Sequence, residues 1–377
     1  MSTPTIADLV RSRRVLVCCG AGGVGKTTVS ASLALSAARL GMRVLAITVD
    51  PSKRLAEALG VSAQQEEPVA LSAERLAAVG VKPPGSLSAW MLDPQLVCDQ
   101  VVRAVTKDPE AQERLRRNRL YQNVSTLVAG MHEYTAVEAL HGFVRDDRYD
   151  LVVLDTPPSR DAIRFLDTPS RANAFLDPRI FSFFLPDKGS VFHRAGTAVI
   201  NKILDLGLGK DSRVELQDFL SLFQVILAHL SRNQEDMQKF FASDQVAFLL
   251  VTSPAQAAVD EAAHFEARTR ELGVRIGGYV LNQSLASAAQ LPFPEESMLA
   301  SGANDAARGA LAKLNALAQV EGHSVDSDAK LAFRLRDHFK GRAPLWVMPR
   351  FTREQSALDA LTKLADLLML APVSEQG

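Results

Sequence analysis

Short apolar segments rich in β-branched residues recur along the chain at the length of β-strands. They lie at 14–19, 43–49, 150–154, 246–252, 275–281 and 344–348, with a weaker seventh at 86–92. Their apolarity is nearly continuous rather than alternating, which is typical of parallel strands buried on both faces. Helical patterns separate these segments. The alternation predicts a doubly wound α/β fold with a mostly parallel sheet, in which ligands bind beyond the carboxyl ends of the strands.

Three segments with helical patterns are too long to be simple crossovers between strands: 95–145, 171–243 and 293–340. We therefore interpret residues 1–377 as a single domain with insertions. Its core sheet is predicted to use about 10–94, 146–170, 244–292 and 341–377. Segments 95–145 and 171–243 are predicted to form a helical subdomain, and 293–340 a separate helical insertion.

Two apolar features stand out in these helical segments. Within 214–230, apolar residues recur as an i, i+3, i+4, i+7 stripe, which favours packing inside the subdomain over an exposed face. Segment 176–207 concentrates phenylalanines around Pro186 and Gly189 and predicts an apolar flap. A third amphipathic segment, 358–370, has a nearly neutral polar face. We expect it to be a helix packed on the sheet rather than a basic membrane helix.

Charge and cysteine content exclude several classes of function. The 377 residues include 42 Lys and Arg against 43 Asp and Glu, so no global field attracts nucleic acid or an anionic membrane. Any polyanion must then be bound by a local site. Cys18, Cys19 and Cys98 form no CxxC pair, which favours a reducing compartment and neither a disulfide framework nor a zinc site. With no signal peptide or long uncharged apolar run, the sequence indicates a soluble cytoplasmic protein.

A glycine-rich sequence directly follows the first predicted strand and precedes a helical pattern. It satisfies G-x-x-x-x-G-K-[ST] and reads Gly20-Ala21-Gly22-Gly23-Val24-Gly25-Lys26-Thr27-Thr28. In this context the backbone of Gly22, Gly23, Val24 and Gly25, the start of the helix and Thr28 are predicted to bind phosphate oxygens. Lys26 is expected to reach the β- and γ-phosphates, and the Thr27 hydroxyl to coordinate Mg²⁺.

Two carboxylates follow predicted strands and are expected at the same edge of the sheet as this loop. Asp155 ends an apolar strand, which is the Walker B arrangement, and is predicted to hold Mg²⁺ through its water shell. Asp50 follows the second strand and is the stronger candidate to orient or deprotonate an attacking water. A strand-ending turn residue is the alternative interpretation of each aspartate.

Several stretches resemble one family of nucleotide-binding proteins. GGVGKTT at 22–28, DPSKRLAEALG at 50–60, DTPPSRDAIRFLD at 155–167 and GGYVLNQ at 277–283 are similar to those of deviant Walker A ATPases of the ParA/MinD/ArsA group. Within it the chain most resembles the ArsA/Get3 branch, especially its bacterial members described as anion-transporting ATPases. The resemblance implies a P-loop NTPase fold of the SIMIBI type and a dimer that binds and hydrolyses ATP.

The same resemblance assigns further residues. It implies that Asn282 and Pro349 contact the adenine, and that the loops around Asp50 and 155–166 respond to the γ-phosphate as switches. It also implies that ATP turnover drives a cycle of client or partner binding through the helical segments. Membrane contact would occur only through a partner.

The sequence departs from the family pattern at the position of the signature lysine, which is Ala21 here. Cations in the expected switches, Lys53, Arg54, Arg160 and Arg164, are candidates to stabilise transition-state charge instead. A heterodimer with a lysine-bearing paralogue is the alternative to a homodimer. The chain also lacks the zinc-binding CxxC pair and the clustered cysteines of arsenite-stimulated members, so neither zinc binding nor arsenite pumping is expected.

Three functions therefore stay open at the level of the sequence. The first is an ArsA/Get3-like nucleotide switch that acts on a client protein. The second is a ParA/MinD-like positioning ATPase that assembles on DNA or membrane, which the extra helical segments and the lack of a basic C-terminal helix disfavour. The third is a regulatory subunit with little activity of its own, which the alanine at position 21 keeps open.

Overall fold

The computed structural model describes most of the predicted core and part of the helical segments. The described residues are 4–49, 67–122, 131–156, 241–286, 304–339, 343–351 and 357–370, with single positions at 55, 59 and between 216 and 240. Of the helices within these ranges, none has the length and apolar content that crossing a membrane requires.

The described strands form one eight-stranded sheet in the order β3-β4-β2-β5-β1-β6-β7-β8. The strands are β1 (Val15–Gly20), β2 (Arg43–Thr48), β3 (Val69–Ala70), β4 (Ser86–Met91), β5 (Leu151–Asp155), β6 (Val246–Thr252), β7 (Ile276–Ser284) and β8 (Leu345–Pro349). All neighbours pair in parallel except β3, which pairs antiparallel with β4 at the edge of the sheet. Strand β1 lies between β5 and β6, where the direction of strand addition reverses, so a ligand site is expected at its carboxyl end.

Helices follow most of the strands. They are α1 (Ile6–Ser12), α2 (Lys26–Arg39), α3 (Ala73–Ala78), α4 (Pro94–Val105), α5 (Pro109–Arg117), α6 (Arg119–Gln122), α7 (Met131–Val144), α8 (Gln256–Glu271), α9 (Asp305–Phe339) and α10 (Ala357–Leu368). Local sequence sets several of their starts: Thr5 and Asp8 form a capping box at α1, and Asp93 and Asp108 cap α4 and α5 ahead of a proline.

Two apolar clusters cover the two faces of the sheet. On one face, buried residues of α1, α2 and α10, such as Ile6, Leu33 and Leu364, pack on the strands. The other face is covered by buried residues of α7, α8 and α9, such as Leu140 and Phe265. Because the sheet is sandwiched in this way, its central strands β1, β5 and β6 are buried from end to end, which explains their continuous apolarity.

The sequence prediction of the sheet is confirmed in its main features. All seven predicted strands are present, including the weaker one, which forms β4. Strand β3 was missed because two residues are too short to form an apolar pattern. The predicted C-terminal helix is confirmed as α10, whose residues Leu361, Leu364 and Leu368 are buried in the first cluster. Within 293–340, which the sequence predicts to be a helical insertion, residues Asp305–Phe339 form one helix, α9, of 35 residues.

Other sequence predictions concern residues that are not described. Segment 176–207 lies outside the described residues, as does most of 214–230. The division into a core sheet and an inserted helical subdomain therefore stays a prediction. Within the described residues, α4 packs against α7, and the chain returns to the sheet as β5 directly after α7.

Candidate functional site

The glycine-rich loop connects β1 to α2 at the carboxyl edge of the sheet. Its backbone requires glycine at two positions for steric reasons. A Cβ at Gly20, where φ is 152°, would collide with the carbonyl oxygen of Val251 on β6. Gly25, where φ is 88°, lies so close to the Asn282 amide that a Cβ would strike its nitrogen. The start of the loop thus lies against β6 and its end against β7.

Helix α2 begins at Lys26. Its N-cap residue is Gly25, which has no side chain to accept a hydrogen bond from the first turn. The N–H groups of a first turn have no partner within the helix, so this end offers donors and the positive end of the helix dipole to an anion. Lys26 is only 8% exposed, and its Nζ donates a hydrogen bond of 2.8 Å to the carbonyl oxygen of Ala21. The Lys26 side chain therefore reaches back across the loop to its first residues.

Asp155 ends β5 below this loop and is 1% exposed. Its Oδ2 accepts hydrogen bonds from the hydroxyls of Thr27 at 2.8 Å and Thr48 at 3.1 Å. The Ser30 hydroxyl lies 3.5 Å from Oδ1. These donors come from β2 and from the first two turns of α2. One buried carboxylate thus joins β5, β2 and the helix that follows the phosphate-binding loop.

This set of oxygen atoms fits Mg²⁺, which binds carboxylate and hydroxyl oxygens and keeps several of its waters. Thr27 donates its hydrogen to Asp155, so the lone pairs of its oxygen are left for a cation. The structure thereby brings together the two residues that the sequence predicted for the metal. Within the described residues, no group of three or more His, Cys, Asp and Glu side chains could hold a metal ion.

The end of β7 contacts the same loop through two amide side chains. Asn282, which is 5% exposed, donates from Nδ2 to the carbonyl oxygen of Val24 at 2.9 Å. Gln283 donates from Nε2 to the carbonyl oxygen of Gly23 at 3.1 Å. Pro349 at the end of β8 pairs with Ser284, one strand further from the loop. The two residues that the family resemblance assigned to the adenine thus lie on neighbouring strand ends.

The three cysteines are buried. Cys18 and Cys19 belong to the clusters on opposite faces of β1, as expected from the alternation of side chains along a strand. Burial raises the pKa of Cys18 to about 12 and that of Cys19 still higher. The pKa of Cys98 is raised to about 12, again chiefly by burial. All three thiols are therefore protonated at neutral pH, as in structural cysteines.

Several predicted site residues lie outside the described residues: Asp50, Lys53, Arg54, Arg160 and Arg164. Their roles stay predictions. Ala21 is described, and its side chain is 5% exposed and belongs to the apolar cluster that contains α2. A methyl group at this position carries no charge to the site.

Three contacts of the site were not foreseen from the sequence. Thr48 and Ser30 bind Asp155, and Gln283 binds the loop. The signals were present: Thr48 is the last residue of β2, two before Asp50, while Ser30 lies one helical turn after Thr27. Gln283 directly follows Asn282. In each case the sequence shows the proximity along the chain but not the partner across the sheet.

Comparison with known proteins identifies relatives of this chain. A family model described as Anion-transporting ATPase matches residues 13–296. The ATPase GET3 of Malassezia globosa is 30% identical over 196 residues, which cover 51% of this chain and 53% of that protein. The ATPase get3 of Aspergillus terreus is 27% identical over 169 residues, 44% of this chain and 47% of that protein.

A protein of Aquifex aeolicus named as a putative arsenical pump-driving ATPase is 25% identical over 158 residues, which cover 42% of this chain and 38% of that protein. The chain spans about half the length of the curated relatives it matches. The family model is more extensive: it starts before β1 and ends after β7, and so includes both the phosphate-binding loop and the strand that contacts it. The chain therefore belongs to the anion-transporting ATPase family.

Proposed function

We propose that this protein binds ATP with Mg²⁺ and hydrolyses it. The observation that carries the proposal is the contact between the phosphate-binding loop and the Walker B strand. The Thr27 hydroxyl, adjacent to Lys26, lies 2.8 Å from the buried carboxylate of Asp155. Oxygen atoms that can bind a cation thus lie beside the backbone N–H groups and the Lys26 ammonium, which can donate to phosphate. The names of the relatives, which are ATPases, support the same reaction.

Phosphate binding would rest on the first turn of α2 and on Lys26. The Lys26 ammonium donates to the Ala21 carbonyl, and a phosphate oxygen would compete for it because its negative charge attracts the ammonium more strongly than a neutral carbonyl does. Lys26 would then neutralise charge on the β- and γ-phosphates. Gly22, Gly23, Val24, Gly25 and Thr28 would add backbone and hydroxyl donors around the phosphates.

Bound Mg²⁺ would neutralise phosphate charge and orient the phosphates for transfer. Thr27 and Asp155 would hold it, with Thr48 and Ser30 fixing the orientation of the carboxylate. Asp50 would orient the attacking water and accept its proton, and the adenine would bind at Asn282 and Pro349. Phosphoryl transfer needs mostly positioning and charge stabilisation, which is what this set of residues provides.

The charge that develops during transfer needs a further cation, because position 21 is an alanine. Arg54, Arg160 and Arg164 in the switch segments are the candidates within the chain, and a lysine from a partner subunit is the candidate outside it. We further propose that the protein works as a cytosolic dimer, closed by ATP and reopened by hydrolysis, whose helical segments bind a client or partner protein.

A second candidate function is that of a regulatory subunit with low activity of its own. The observation that favours it is the environment of Ala21, whose methyl group is packed in the apolar cluster and whose carbonyl holds Lys26. Such a subunit would bind ATP but depend on a lysine-bearing paralogue for turnover. The two candidates make the same prediction for binding and opposite predictions for hydrolysis by the purified chain.

Binding and turnover measured on one sample test the proposal and separate its two forms. Lys26→Ala and Asp155→Asn are expected to lower kcat by at least about 100-fold, as loss of one charge-stabilising group does in other enzymes. Asp150→Asn is the matched control, since Asp150 precedes the same strand at its opposite end and pairs with Arg43 on the surface. ATP binding without turnover would select the regulatory subunit. Absence of ATP binding by the wild-type chain would refute both.

A further inference from the structure

The chain makes a strained turn where β7 ends at the phosphate-binding loop. Gln283 has a φ of 58°. Among the described residues, every other residue with a φ in the left-handed range is a glycine. A left-handed conformation is unfavourable for a residue with a side chain, so contacts nearby must hold it. This turn aims the amide of Gln283 at the Gly23 carbonyl, next to the contact between Asn282 and Val24.

Two of the contacts that hold the turn come from Asp328 in the C-terminal half of α9. The backbone N–H of Leu285 donates to Oδ2 of Asp328 at 2.7 Å, and the Ser284 hydroxyl lies 3.4 Å from the same oxygen. The N–H of Arg350, which directly follows β8, donates to the Ser284 carbonyl at 3.1 Å. A carboxylate is a stronger acceptor for a backbone N–H than a neutral group is. Asp328 thus fixes the two residues that directly follow Gln283.

The hydrogen bonds to the Gly23 and Val24 carbonyls also set the direction of backbone N–H groups. A peptide unit is planar, and its C=O and N–H point in opposite directions. When Gln283 holds the Gly23 carbonyl, the N–H of Val24 must point away from β7. When Asn282 holds the Val24 carbonyl, the N–H of Gly25 does the same. The turn at the end of β7 therefore decides where two backbone donors of the loop point.

We propose that Asp328 is a positioning residue for the phosphate-binding loop. It holds the end of β7 in the turn from which Asn282 and Gln283 orient the Val24 and Gly25 N–H groups toward phosphate. The inference rests on the proposed function, because it assigns Asp328 to the binding of the nucleotide phosphates. It also connects α9, a helix outside the loop and the switches, to the affinity of the nucleotide site.

Affinity for inorganic pyrophosphate, a phosphate ligand without an adenine, tests this role most directly. Calorimetric titrations measure it beside the affinity for ATP, each with Mg²⁺. Asp328→Ala is expected to weaken both by about 3- to 10-fold, the range for losing a charge-assisted hydrogen bond that orders donors. Asp328→Asn keeps an oxygen acceptor for the Leu285 N–H and is expected to retain most of the affinity. Glu321→Gln, exposed on the same helix two turns earlier, is the matched control.

A double-mutant cycle separates positioning from a loss of stability. Gln283→Gly adopts the left-handed turn without strain and removes the amide that contacts Gly23, so it makes Asp328 less necessary. Asp328→Ala is therefore expected to weaken pyrophosphate binding less in the Gln283→Gly background than in the wild type. Equal effects in both backgrounds, or an unchanged pyrophosphate affinity in Asp328→Ala, would overturn the proposal.

Hydrogen exchange of the nucleotide-free protein keeps this test independent of the proposed function. Faster exchange at the amides of residues 21–25 in Asp328→Ala, with α2 and the strands protected as in the wild type, is the expected result. Unchanged exchange in the loop would contradict the role of Asp328 even if no nucleotide bound. If the wild type fails to bind ATP while the loop responds as expected, the proposed function fails and the positioning contact stands.

Discussion

Three glycines of the phosphate-binding loop provide a graded test of its structure. A Cβ added at Gly22 would meet no heavy atom within 4 Å, and the φ of this residue is outside the left-handed range. Gly23 has equal space but a φ of 78°. Gly25 combines a φ of 88° with the collision against Asn282. Substitution of each by alanine therefore adds one physical cost at a time.

The expected losses in the free energy of unfolding follow from these costs. Gly22→Ala should change it by less than about 0.5 kcal/mol, as exposed substitutions without strain do. Gly23→Ala adds the cost of a left-handed alanine, about 1–2 kcal/mol. Gly25→Ala adds to that cost the displaced Asn282 amide and its lost hydrogen bond to Val24, for a total of about 2–5 kcal/mol.

Urea unfolding without nucleotide, followed by tryptophan fluorescence, measures these differences. The two tryptophans, Trp90 on β4 and Trp346 on β8, are buried in the sheet and report its unfolding. The account requires the order Gly22, Gly23, Gly25 in increasing loss. Equal losses for Gly23→Ala and Gly25→Ala would refute the contact between the loop and β7, and a large loss for Gly22→Ala would refute the loop conformation.

Three further predictions concern surface charge, buried thiols and core packing. Asp150→Asn should lower the free energy of unfolding by less than about 1 kcal/mol, because the pair with Arg43 is partly exposed. The hydrogen bond from Arg43 lowers the pKa of Asp150. The stabilisation from this pair is therefore present above the unfolded pKa of about 3.9 and is lost as the pH falls through the folded pKa. Urea unfolding measured at a series of pH values across this range checks it. Cys18 and Cys19 should not react with a disulfide reagent near about pH 8 until urea unfolds the protein, since burial raises the pKa of both thiols; fast reaction of the native protein would contradict it. Leu364→Ala on α10 should cost about 2–5 kcal/mol in urea unfolding, and a loss below about 1 kcal/mol would contradict the packing of α10 on α2.

The sheet could be predicted well from the sequence because burial on both faces leaves a pattern in each strand. Seven of its strands were identified from apolar runs alone, and β5 was correctly expected to deliver Asp155 to the edge that carries the loop. Strand β3 could not be found in this way, because Val69 and Ala70 pair only at the edge and one of them is exposed. Pairing across the sheet, rather than local sequence, makes them a strand.

The site could be predicted as far as its motifs extend. The loop sequence specified Lys26 and Thr27, and the Walker B pattern specified Asp155, because residue type and spacing express the chemistry of phosphate and Mg²⁺ directly. The contact of Gln283 with Gly23 joins residues 260 positions apart. Asp328 lies in a helix whose sequence shows no site motif. Such contacts depend on how strand ends meet, which no local pattern records.

The dependence of ATP affinity on Mg²⁺ tests the central claim most directly. Calorimetric titrations with ATP at increasing Mg²⁺ concentration compare the wild type with Asp155→Asn, and use Asp150→Asn as the control. If Thr27 and Asp155 hold the cation beside the phosphate-binding loop, ATP affinity rises with Mg²⁺ in the wild type and the control but not in Asp155→Asn. The same Mg²⁺ dependence in all three proteins would contradict the account.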